Sequence, residues 1–161
     1  MSNPWITYRK LLAREALVSA VINVVLSGGI AWARFGHQPR IPVWGTSGLL
    51  LDAVPSTALP VLLMSVALTL IVRQRLKQSP VMVDGPTLVT CLPKSLPMRA
   101  LALALLSTLL LVAISGFVFT LFGTQWVSTI STMTIKCVQA AVIGLILGPI
   151  IVVRTLYERP S

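Results

Sequence analysis

ALALALLSTLLLVAISGFVFTLF, residues 100–122, runs for 23 positions without an Asp, Glu, Lys or Arg. A helix needs about 20 such residues to cross a hydrocarbon core of ~30 Å. Three more stretches, 16–33, 53–72 and 137–153, are equally free of these charges. Lipid offers no partner for backbone N–H and C=O groups, so runs of this length cross only as helices that satisfy those groups internally. The expected fold is all-α integral membrane: four transmembrane helices at about 16–33, 53–72, 100–122 and 134–153. They form two hairpins in one membrane domain over residues 1–161.

Composition points the same way. The mean hydropathy is +0.88. Only 11% of residues are charged, against about 25% in an ordinary soluble domain. In a soluble protein the net charge of +9 would suggest nucleic acid, so the placement of the basic residues decides. Arg9, Lys10, Arg14, Arg73, Arg75, Lys77, Lys94, Arg99, Arg154 and Arg159 fall on one side of the four spans, and Arg34, Arg40 and Lys136 on the other. The positive-inside rule then puts both termini and the 73–99 loop in the cytoplasm. With topology explaining these residues and no nucleic-acid motif beside them, the expected environment is the lipid bilayer, with no nucleic-acid partner. The amphipathic aromatics agree: Trp5, Tyr8 and Tyr157 fall at the cytoplasmic boundary, and Trp32, Trp44 and Trp126 at or beyond the outer one, as in an interfacial belt.

The first span has features of a secretory signal, with a basic start and a small-x-small Ala31-Trp32-Ala33. Its 18-residue apolar run exceeds the 7–15 residues usual for a signal and carries Asn23 and Ser27, so retention is expected. Pro39, Pro42, Gly45 and Gly48 make the 34–52 loop read as an irregular connection. In the cytoplasmic loop, Val81-Met82-Val83 and Leu88-Val89 around Asp84-Gly85 could form a short hairpin, which Pro86 opposes, so a plain linker is expected. The two halves resemble a degenerate parallel repeat. Arg14 and Arg99 each lead into a span that ends in Phe-Gly, at Phe35-Gly36 and Phe122-Gly123.

The catalytic inventory is nearly empty. His37 has no carboxylate or cysteine near it in sequence, and Cys91 and Cys137 form no C-x-x-C pair. No nucleophile–base set, phosphate loop, metal cluster or cofactor site can be assembled, so the chain reads as non-enzymatic.

Polar and small residues at helical spacing remain. Glu15, Ser19, Asn23, Ser27 and Ala31 recur every four residues in the first span, as do Thr132, Lys136, Ala140, Gly144 and Gly148 in the fourth. The Gly144-x-x-x-Gly148 unit would let two backbones approach closely, so helix packing is the expected role of Ser19, Asn23, Ser27, Ala140, Gly144 and Gly148. Pro55, Pro60 and Pro149 are expected to kink their helices, since each removes an internal hydrogen bond. Asp52 lies 21 residues before Arg73 and Lys136 lies 18 before Arg154, about 31 and 27 Å along straight helices. Both therefore lie near the outer boundary. Asp52 can cap its helix and Lys136 can snorkel to the interface; the alternative is an ion pair between them.

The expected role is a subunit or accessory of a membrane assembly, or a homo-oligomer, acting through helix packing, in a bacterial inner membrane. A small transporter or channel is second, because no acidic residue lies at mid-membrane, where proton or cation coupling usually needs one.

Overall fold

A computed structural model describes residues 4–78, 93 and 95–157. Its body is four helices: α1 (Pro4–Phe35), α2 (Leu49–Gln78), α3 (Leu96–Leu121) and α4 (Thr129–Tyr157). Each is long and apolar enough to cross a membrane, which makes the chain a multi-pass membrane protein in its architecture. The helices outrun the expected spans at most ends. Hydropathy marks where hydrocarbon contact stops, while Arg and Lys are good helix formers and let the helix continue beyond it. The candidate hairpin around Asp84-Gly85, and Cys91, lie outside the described residues.

The 34–52 connection is more ordered than its Pro and Gly content suggested. Residues Arg40–Pro42 form β1, and Trp126–Ser128, between α3 and α4, form β2. The two pair antiparallel with Arg40 opposite Ser128, Ile41 opposite Val127 and Pro42 opposite Trp126. The β-branched Ile41 and Val127 suit a pleated pair and turn inward. With Phe35, Val43, Leu49 and Phe119 they form an apolar plug over one end of the bundle. Gly123, at φ 60°, adopts the left-handed conformation that lets the chain leave α3 and enter β2.

Within the bundle α1 lies along α4 and α2 along α3, with α2 also meeting α4 centrally. A second apolar cluster joins Val61, Met64 and Leu68 of α2 to Leu103 and Ala104 of α3 and Ile151 of α4. Helix α3 is the least enclosed, with 22% of its spanning window buried against 44% in α2.

Candidate functional site

Just beneath the ribbon, three charges from three helices converge. Asp52 lies in the first turn of α2, its N–H bonded to Gly48 O, where the positive end of the helix dipole favours a carboxylate. Lys136 lies two turns into α4 and is 4% exposed. Its Nζ donates to Asp52 Oδ2 (2.9 Å) and to Ser56 Oγ (2.6 Å). The Ser56 hydroxyl in turn donates to Asp52 O at 2.6 Å. Arg34 Nη1 stands 2.8 Å from Asp52 Oδ1, off the hydrogen-bonding direction, so that contact is a charge contact.

The bland alternatives for both residues give way to this geometry. Asp52 is 1% exposed and lies inside the helix rather than at its cap. Lys136 turns into the bundle instead of snorkelling, because its four-residue stripe faces α1 and α2. The Arg34 side chain is 43% exposed, so its charge remains solvated while Lys136 and Asp52 neutralise each other inside.

The first-span stripe faces inward along its length: Glu15, Ser19, Asn23, Ser27 and Ala31 are all buried. Against it lie the small residues of α4. A Cβ at Gly144 would stand 2.5 Å from Ala20 Cα, and one at Gly148 would stand 2.6 Å from Ser19 Oγ and 3.3 Å from Ala16 Cα. The partner of this glycine face is therefore α1 of the same chain. Further in, Asn23 Nδ2 approaches Met64 Sδ at 3.5 Å, and Asn23 Oδ1 has no partner among the described residues.

Pro55 and Pro60 lie inside α2, and Pro149 inside α4. Pro60 has no N–H to give the carbonyl four residues back, Ser56 O. Ser27 Oγ approaches that same carbonyl at 3.5 Å, so a hydroxyl from α1 addresses the acceptor that the proline leaves over. Between α1, α2 and α4 a narrow cleft remains with room for about one water, lined on its polar side by Asn23, Ser27, Ser56, Thr57, Lys136 and Gln139.

The opposite end holds residues that the sequence reading passed over. Arg99 was counted with the loop charges, yet it lies in the first turn of α3, is 1% exposed, and donates from Nη2 to Thr69 Oγ1 at 2.8 Å. Glu15 and Arg154 are buried as well. The available signal was depth: Thr69 precedes Arg73 by one helical turn, which sets it level with the start of α3. Gln139, which donates to Ser115 Oγ at 2.9 Å and so ties α4 to α3, was also missed. His37 is exposed, and among the described residues no three His, Cys, Asp or Glu side chains gather as a metal site.

The arrangement can hold helices in register and present hydrogen-bonding groups to a small solute within the bundle. Comparison with family models, with curated proteins and with solved structures gave no match.

Proposed function

We propose that the chain is a small non-enzymatic membrane protein that acts through helix packing, as a subunit or accessory of a membrane assembly or as a homo-oligomer. Both termini and the 73–99 loop face the cytoplasm in this reading, and the membrane is a bacterial inner one. The observation that carries it is how the interior is closed. The glycine face of α4 is used against α1, and Lys136 is clamped to Asp52 and Ser56. That leaves the leucine face of α3, with Leu105, Leu106, Leu109 and Leu110 exposed, to meet lipid or another helix. Native mass spectrometry from lipid nanodiscs is expected to give more than one copy or a stoichiometric partner. A lone 17.3 kDa chain would remove the reading.

The degenerate repeat belongs to this proposal. A two-fold axis along the membrane normal would exchange α1 with α3 and α2 with α4, so it would carry the α1·α4 pair onto α3·α2 and leave α2·α4 on the axis. The bundle supports this in part: α1 packs on α4, α3 on α2 and α2 on α4, but α1 is the more closely engaged of the two outer helices and meets α2 more than α3 meets α4. The same axis would exchange the strands, and the pairs Arg40–Ser128 and Pro42–Trp126 swap into each other about Ile41–Val127. Burial favours a different register from the Phe-Gly match, since Phe122 is exposed while Phe35 and Phe119 share one cluster. At that separation of 84 residues, two short of the strand exchange that carries Ile41 to Val127, Asp52 aligns with Lys136 and Glu15 with Arg99. The first half thus supplies acids where the second supplies bases, a charge pattern that favours pairing of unlike halves over like ones.

Orientation is tested with Cys91. In a Cys137→Ala background, an impermeant thiol reagent applied to intact cells is expected to leave Cys91 unlabelled until the membrane is opened. Labelling from outside would reverse the topology. The second reading, a small transporter, draws on the polar cleft. Solute flux in proteoliposomes with a lone chain would favour it over the subunit reading.

A further inference from the structure

The cleft between α1, α2 and α4 carries a mismatch on its walls. Asn23 is 1% exposed and spends one of its two amide N–H groups on the Met64 thioether, a weak acceptor. Its Oδ1, the stronger group, is left without a partner among the described residues. In a bilayer interior no lipid group can supply the missing donor, and a bare buried amide oxygen is costly. On the same cleft Lys136 has three N–H donors; two go to Asp52 and Ser56, and one remains unpartnered among the described residues. Ser27 and Thr57 add hydroxyl-bearing side chains to the lining.

These groups ask for a molecule that accepts and donates at once. A cation would meet the Lys136 ammonium. An anion would meet the bare Asn23 oxygen, beside an ammonium whose charge Asp52 already matches. We propose that the cleft is a binding site for one small uncharged hydroxylic molecule, a water, since it has room for about one. Its oxygen accepts the third Lys136 N–H, and one of its O–H groups donates to Asn23 Oδ1. Such a site satisfies the amide that protein atoms leave bare, as buried waters do in soluble proteins. It also places a hydroxylic ligand inside the membrane at the junction of three helices. The inference does not rest on the subunit reading, since a lone chain and an assembled one would both hold the ligand.

The test is solid-state NMR on the full chain in deuterated lipid, following magnetisation from aqueous protons to the Asn23 side-chain amide, first in buffer and then with glycerol added. Transfer from water as rapid as to the exposed Arg40, unchanged by glycerol, identifies water as the occupant. Cross-peaks from glycerol carbon-bound protons to the Asn23 amide would show a wider opening than a single-water site has and would overturn the proposal. If the Asn23 amide receives no more from either source than the lipid-facing backbone around Leu109, the cleft is dry and the proposal is overturned.

Discussion

Gly144→Ala is expected to lower the melting temperature of the purified protein clearly, and Gly144→Leu to prevent α1 and α4 from packing at all. A Cβ at this position would meet Ala20 Cα at 2.5 Å, Ala20 N at 2.7 Å and the Ser19 carbonyl carbon at 2.8 Å. All three are backbone atoms, so no side chain can rotate away and the helices must separate. Overpacking a tight core typically costs about 1–3 kcal/mol for a few added atoms. In lipid the loss is harder to recover, because close van der Waals approach is what drives helix association there. Gly148→Ala should be milder, since its nearest neighbour is the Ser19 hydroxyl at 2.6 Å, which belongs to a side chain. Gly29→Ala, with nothing within 4 Å, is the control that should leave stability unchanged or raised. Equal melting temperatures across the three alanine variants would show that α1 and α4 do not pack through this face.

Loss of Asp52 is expected to hurt more than loss of Lys136. Asp52→Asn strands a buried ammonium with only neutral oxygens, the introduced amide's and that of Ser56, to accept from it, and an uncompensated buried charge costs about 3–5 kcal/mol. Lys136→Met leaves Asp52 facing Arg34 at 2.8 Å. What is lost then is nearer the net worth of hydrogen bonds to a charged group, about 1.5–3 kcal/mol. Unfolding of the two single variants in a mild detergent series measures the order. If Lys136→Met were the more damaging, Arg34 would not be supporting the carboxylate as this geometry requires.

The four helices were legible because lipid imposes one rule, apolar length, and residues 100–122 state it plainly. Their ends were less so, since a basic flank such as Arg73 stops the hydrocarbon contact without stopping the helix. The ribbon was hidden for another reason. Its strands are three residues each, and Ile41 finds Val127 only after the whole bundle has formed, so no local pattern announces the pair. For Asp52 and Lys136, counting residues gave their common depth but not the direction of either side chain. The direction was nevertheless written in the stripe Thr132, Lys136, Ala140, Gly144 and Gly148, whose glycines mark the face that meets another helix. Arg99 was missed because a basic residue at a span edge satisfies the topological rule so well that its burial goes unasked.

The central claim is that Asp52 and Lys136 join α2 to α4 inside the bundle, on the line where the two halves meet. A double-mutant cycle with Asp52→Asn and Lys136→Met, read as unfolding free energy of the full chain in the same detergent and lipid, tests it directly. Contact at 2.9 Å between two buried charges predicts a coupling of about 1 kcal/mol or more, the double variant being less damaged than the sum of the singles. A coupling near zero, with the single effects simply adding, would contradict it.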